Sequence, residues 1–554
     1  MKTTLCFTLT ILLLGTAAQA TELKLASIFS DHAVLQRDQP APLWGWADAG
    51  TKVSVEFAGQ TKTTTADAAG KWMVKLDAMA AEAKPREITV SASNAKSEIQ
   101  MLKRIDVLVG EVWLASGQSN MGVSLSGAHN AATEIPKAED PLLRFFNVKA
   151  QTAGNPLPDV HGQWAVSSPK TAPGFSAVAY FFARELRTKL DVPVAMIQAA
   201  WGGTPAQAWT SIDALGEEPP LTRHLEAWEK ALTKKRELDA NPQIAADYAD
   251  KIKRWNTEVR PTFDAAMKAY NAAKDAGNNQ GTKPEAAWPE PANPDPMGMP
   301  SPSARPGTPS VIFNGMIAPL APYALRGAIW YQGEANGGAG LEYRTLLPRL
   351  ISDWRKHWSA DFPFLFVQLP GWDHDTKPAE THDWPWLREA QLFTLKSVPL
   401  TAMAVTIDVG NPANVHPSDK LDVGLRLALA ARKLAYKENI VASGPLYQGF
   451  TVEGVAARVK FSEVGGGLAP GQAPWRADKV EPLPLDKLIG FTIAGEDKKW
   501  HEADAKIDGD SIIVSSPDVL KPAAVRYGWA NSPRCNLYNK DGLPASPFRS
   551  DDWK

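Results

Sequence analysis

Val112-Trp113-Leu114-Ala115-Ser116-Gly117-Gln118-Ser119-Asn120-Met121 passes, within one short stretch, from an unbroken apolar strand to a turn of small and polar residues. A strand without polar alternation is buried on both faces, as in a parallel sheet covered by helices. Four more such runs follow: Val194–Ala200, Ala328–Tyr331, Phe364–Val367 and Met403–Ile407. Helical patterns lie between them. Tyr180–Leu190 carries Phe181, Leu186 and Leu190, and Leu421–Leu434 is a second example. Strands alternating with helices predict an α/β fold, a parallel sheet with helices on both faces. Such sheets bind ligands beyond the carboxyl ends of their strands. The residues just after each strand are therefore the candidates for chemistry.

Outward from this core the pattern changes. Residues 21–104 hold short alternating runs such as Val53–Phe57, Trp72–Leu76 and Glu87–Ser91, separated by turns such as Asp67-Ala68-Ala69-Gly70. Residues 441–554 return to the same style at Phe450–Val452, Ala457–Phe461, Gly490–Ile493 and Ser511–Val514. Both regions read as β-sandwich-like domains flanking an α/β domain at 105–440. An insertion at 216–310 interrupts that domain. Leu221, Leu225, Trp228 and Leu232, then Tyr248, Ile252, Trp255 and Val259, repeat at helical spacing and predict an antiparallel helical pair. Nine prolines in residues 281–310 exclude regular structure there, and the segment reads as a connector, with a loop lining the substrate cleft as the alternative.

The 554 residues suffice for about three domains. With 44% hydrophobic and 22% charged residues, the chain is neither disordered nor polytopic. A formal net charge of −2 gives no global attraction to nucleic acid or an anionic membrane. Lys2, the apolar run Leu5–Leu14 and Ala18-Gln19-Ala20 form a signal-peptide pattern over 1–20, with cleavage after Ala20. Export to the periplasm or beyond follows. Of the two cysteines, Cys6 leaves with the signal and Cys535 remains, so no intrachain disulfide is expected. The 20 Trp against 10 Tyr fill cores or offer faces for sugar rings.

Four strand ends concentrate polar residues. Ser119 follows the first strand and is read either as an exposed nucleophile or as a helix cap. Trp201-Gly202-Gly203-Thr204 follows the second, where paired glycines let backbone N–H groups approach a ligand. In Trp330-Tyr331-Gln332-Gly333-Glu334-Ala335-Asn336, Gln332 is a candidate oxyanion donor and Glu334 a candidate to orient a base. Asp408 ends the last strand, and His416 on the loop beyond it is placed to act as a general base.

These blocks in this order resemble the sialate O-acetylesterase family of SGNH/GDSL-type hydrolases. Gly117-Gln118-Ser119-Asn120-Met121, the Trp-Gly-Gly-Thr turn, the Trp-Tyr-Gln-Gly-Glu stretch and Val415-His416-Pro417 carry the resemblance. Asp31–Arg37, Phe313–Leu320, Trp384–Gln391 and Gly542–Arg549 extend it over most of the chain. The resemblance implies a serine esterase that removes O-acetyl groups from sugars without metal or organic cofactor. It makes Ser119 the nucleophile and His416 the base. Ser119 N–H, Gly202 or Gly203 N–H and the Gln332 side chain would form the oxyanion hole. Many relatives carry an acid two or three residues before the His. Here those positions are Asn414 and Ala413, which leaves a Ser-His dyad, or Asp408 or Glu334 as a distant third member. For an acidic sugar, Arg388 or Arg344 would take the carboxylate. Acetylated xylan would favour a neutral cleft of tryptophans drawn from Trp201, Trp209, Trp372 and Trp384. Two other classes stay open at this point: a non-catalytic carbohydrate-binding protein, and a glycosidase using Asp408 and Glu334.

Overall fold

A computed structural model describes residues 22–93, 99–275, 282–301, 304–373, 384–475 and 482–553. The expected signal segment lies outside the described residues. The central sheet is built from β1 (Ile99–Gly117), β2 (Asp140–Val148), β3 (Gly162–Ser167), β4 (Val194–Ala200), β5 (Gly327–Tyr331), β6 (Phe364–Val367) and β7 (Thr401–Ala404). Their spatial order is β3-β2-β4-β1-β5-β6-β7. Every pairing is parallel except that of the edge strand β3 with β2. Four of the five predicted strands are in place, and the fifth, expected at Met403–Ile407, is shifted to Thr401–Ala404, so Asp408 lies on the loop beyond it. β2 and β3 were not foreseen, because β2 carries Asp140 and Arg144 among its apolar residues and β3 is a half-exposed edge.

Among the described residues, the longer helices are α1 (Ala177–Leu190), α2 (Thr222–Asp239), α3 (Pro242–Glu258), α4 (Arg260–Asp275), α5 (Gly340–Trp358), α6 (Trp384–Ser397) and α7 (Leu421–Leu434). Both sheet faces are covered, and the period-2 alternation of strands shows how. Trp113 is in register with Gly327, so Trp330, three residues on, points to the opposite face. Trp113 meets Phe182 of α1 edge to face, while Trp330 meets Trp354 of α5. α7 packs on α1, and α6 packs on α5.

The insertion holds three helices where the spacing predicts two. The chain breaks at Val259–Arg260 because Pro261 lacks an N–H and is tolerated only in a first helical turn. Phe263, Met267 and Tyr270 then continue the same period on α4. The insertion is tied to α5 through His224 and Glu342 at 3.0 Å and through Arg349 with Glu217 at 2.6 Å.

β1 enters the sheet from the N-terminal β region as one strand, bulged beside Asp106, where φ is +56° and the register with Glu82–Ser93 shifts. Its first half pairs antiparallel with Glu82–Ser93, and Val34–Gln36 runs parallel to Leu108–Gly110. Position 104 therefore lies inside a strand. The C-terminal strands pair among themselves, chiefly in two four-stranded sheets. They meet the central sheet through Arg388 of α6, whose guanidinium donates to the carbonyls of Leu369, Pro370, Ala530 and Asn531 at 2.6–3.1 Å.

Candidate active site

β1 sits between β4 and β5, and its carboxyl end supplies Ser119. The turn out of β1 depends on Gly117. Its φ is +135°, and a Cβ there would lie 2.2 Å from the Tyr331 carbonyl oxygen. Gln118 then caps a single helical turn, Ser119–Gly122, and its side chain accepts from the Ala335 N–H at 3.1 Å. Ser119 is left half-buried at the mouth of the sheet.

His416 reaches Ser119 from the long loop after β7. Its Nε2 lies 2.7 Å from Ser119 Oγ, a hydrogen bond of ordinary strength and the geometry of a base about to take a proton. Partial removal from water and, after it, the nearby Lys420 ammonium hold the imidazole pKa below its ordinary value of 6.5. The ring is neutral at neutral pH, as a base must be. The Asn414 side chain accepts the backbone N–H of His416 at 2.9 Å, so Asn414 shapes the loop.

Gly202 lies against the serine. A Cβ on Gly202 would stand 3.1 Å from Ser119 Cβ. Among the described residues, neither the Ser119 N–H nor the Gly202 N–H has an acceptor. Two donors beside one hydroxyl suit an anionic oxygen. Gln332 does not join them. It is fully buried, and its amide donates to Thr204 O at 3.2 Å and to Asn336 Oδ1 at 2.8 Å, while its oxygen accepts from Tyr343 at 2.8 Å. Gln332 thus braces the Gly202–Thr204 turn. Sequence position alone could not separate a side chain facing the cleft from one facing the core.

Other expected residues also stand elsewhere. The Asp408 carboxylate is buried in a two-point pair with Arg426, 2.6 Å for each bond, and accepts from Tyr538 at 2.7 Å. Glu334 accepts from Asn120 at 2.5 Å, and burial raises its pKa against the pull of Asn120 and Lys420. Neither carboxylate bonds to His416. Arg388 is fully buried and spends its donors on carbonyls, and burial lowers its pKa to about 9. Arg344 is exposed on α5, its guanidinium 4.2 Å from the Phe393 ring. Trp209 is buried, donating to Thr204 at 2.8 Å, and Trp384 is buried beside Trp372. Trp201 and Trp372 remain half-exposed at the carboxyl edge. The proline-rich segment, expected as a connector, reaches this edge too: Arg305 Cγ lies 3.1 Å from the Cβ position of Gly203.

Asn120 and Lys420 were missed. Lys420 is fully buried, and its Nζ donates to Asn120 Oδ1 at 2.5 Å. In Pro417-Ser418-Asp419-Lys420 the charges read as a solvated loop, and no local signal marks this lysine as internal.

A serine held on an imidazole beside two free backbone N–H groups is equipped for acyl transfer. The comparisons agree in kind. Residues 109–267 match the family described as carbohydrate esterase, sialic acid-specific acetylesterase. The sialate O-acetylesterase of Rattus norvegicus is 30% identical over 95% of this chain and 94% of its own length. That of Homo sapiens is 28% identical over 95% of this chain and 92% of its own. A carbohydrate acetylesterase of Xanthomonas citri, solved by crystallography, superposes with a TM-score of 0.72 at 34% identity, covering 96% of this chain and all of that one. With its fold, its length and its sequence matched from end to end, the chain belongs to the sialate O-acetylesterase family and is a carboxylic-ester hydrolase.

Proposed function

We propose that the protein removes acetyl groups from the hydroxyls of sugars through an acyl-serine intermediate, with Ser119 as nucleophile and His416 as general base. The 2.7 Å contact between Ser119 Oγ and His416 Nε2 carries this reading. Ser119 Oγ attacks the ester carbonyl while its proton passes to Nε2. The oxyanion is held by the N–H groups of Ser119 and Gly202. Collapse breaks the bond to the sugar oxygen, which takes the proton back from His416. Water, deprotonated by the same imidazole, then releases acetate. The imidazolium forms without a carboxylate on its other nitrogen among the described residues, so the reading is a dyad. Ser119→Ala should abolish acetate release from an acetylated sugar with the circular dichroism unchanged. Retention of more than a few per cent of activity would remove Ser119 from the role.

The sugar is either a sialic acid or an acetylated xylan. Arg388 is bonded to carbonyls and Arg344 lies exposed over the Phe393 ring, whereas Arg305 stands beside Gly203. Half-exposed Trp201 and Trp372 suit a neutral ring. An acetate-release panel comparing the two substrates decides. We also read residues 1–20 as an export signal. Mass spectrometry of the protein from its host should find a chain beginning near Thr21, and an intact Met1 on the soluble protein would reject this. Among the described residues, no helix is long and apolar enough to cross a membrane.

A further inference from the structure

Beneath the Ser119–His416 pair lies a buried polar unit that the reaction above does not use. Asn120 is fully buried, and its amide makes three bonds. Its Oδ1 accepts from Lys420 Nζ at 2.5 Å, and its Nδ2 donates to Glu334 Oε1 at 2.5 Å and to the Val415 carbonyl at 2.9 Å. Asn120 is thus joined covalently to Ser119 and by a hydrogen bond to the residue before His416. An amide can be turned about, exchanging O for N. Here the turned amide would put N–H against an ammonium and a carbonyl oxygen against a carboxylate and a second carbonyl. Lys420, as an ammonium that only donates, and the Val415 carbonyl, which only accepts, therefore allow one orientation only.

We infer that Lys420 and Glu334 are positioning residues that act through Asn120, clamping the amide that joins the Ser119 turn to the His416 loop and so setting the spacing of nucleophile and base. The inference rests on the reading of Ser119 and His416 given above. A buried lysine and a buried glutamate held on one amide are poor value for stability alone, because burial strips the charged form of each of water. They do fix geometry, which is what a reacting pair needs. Lys420 has a second effect. Its charge lies close enough to His416 to oppose protonation of the ring. Among the described residues, the ionisable groups around this region are Lys420 and Asp419 on the histidine's own loop, Tyr331 of β5, whose ring lies 5.2 Å from Lys420 Nζ, Glu334 after β5, and His129, which reaches Asp419 at 3.9 Å from the segment after the Ser119 turn. Asp422, Arg426 and Asp408 lie behind Asp419. Burial brings Lys420 down to about 7, with Glu334 and Asp419 opposing the fall, so it is charged where His416 titrates.

The test uses the full-length protein and Lys420→Met, Glu334→Gln and the double variant. Active sites are counted with a fluorophosphonate that labels serine nucleophiles. Per labelled site, kcat for acetyl-ester hydrolysis should fall about 10–100-fold in each single variant, with KM within about threefold. The double variant should lose little more than the worse single one, since both act on one amide. In Lys420→Met the acid limb of kcat/KM should also move to higher pH, while Glu334→Gln should not move it upward. A purely structural role would lower the labelled fraction and leave kcat per site and the acid limb unchanged, and that result overturns the inference. Should Lys420→Met fail to fold, Glu334→Gln, which leaves no cavity, decides through kcat per site. Failure of the wild-type protein to label at Ser119 would be a different outcome: it would remove the nucleophile assignment, and the inference with it.

Discussion

Gly202 and His416 show what single residues impose on the site. Gly202 packs on Ser119 so closely that a methyl group must displace one of them. Gly202→Ala should cost at least about tenfold in kcat, because the oxyanion donors work only at fixed distance, with thermal stability nearly unchanged. Steady-state kinetics beside a melting curve would check this. His416 must be neutral to act, and its pKa lies below 6.5. Activity should therefore rise with pH through a midpoint below 6.5, so mildly acidic conditions are tolerated. A kcat/KM profile from pH 4 to 8 is the measurement, and a midpoint above 7 would contradict the environment described. The strand before Ser119 placed it at the ligand-binding edge as nucleophile or cap, and its pairing with His416, far along the loop after β7, was legible only through the family resemblance of the blocks around them. Gln332 stands just past β5 and Arg388 within α6, and both face inward. Only packing decides that, and one chain's sequence does not show it.

At the scale of elements, the Asp408–Arg426 pair ties the loop after β7 to α7, and Tyr538 brings in the C-terminal region. Asp408→Asn should lower stability yet cost less than tenfold in rate per folded molecule, as its carboxylate does not touch His416. A collapse of that rate with the fold intact would restore Asp408 as a third catalytic member. β1 has a comparable anchor in Glu111. Its buried carboxylate meets Arg37 at 2.5 Å and Arg326 at 2.8 Å. Burial alone would raise its pKa, but the two guanidinium groups outweigh burial and hold it below 4.5. A depressed pKa gives stability that is present above 4.5 and lost as pH falls through the lower, folded value. Glu111→Gln should cost about 3–5 kcal/mol in urea unfolding at neutral pH, shrinking below about pH 4.5. The elements themselves were readable where apolar period was clean, as in α7, which matches its expected limits of Leu421–Leu434. They were not where charge or exposure broke the period, as in β2 and β3, or where one period spanned a helix break, as at Pro261.

For the whole molecule, the decisive feature is that β1 runs from Ile99 to Gly117 through the expected junction at 104. The same strand is bonded to Glu82–Ser93 at one end and to β4 and β5 at the other, and it stops two residues before Ser119. The two regions should then behave as one cooperative unit. Amides at 107–110 should resist hydrogen exchange as strongly as those at 113–116, with no separate unfolding of the N-terminal part. A chain begun at residue 105 would leave β1 with an unpaired, apolar edge where Val34–Gln36 had lain, an invitation to aggregate. Modularity, the usual licence to trim such a protein to its hydrolase core, is withdrawn here by a single strand that crosses the boundary, bulge and all.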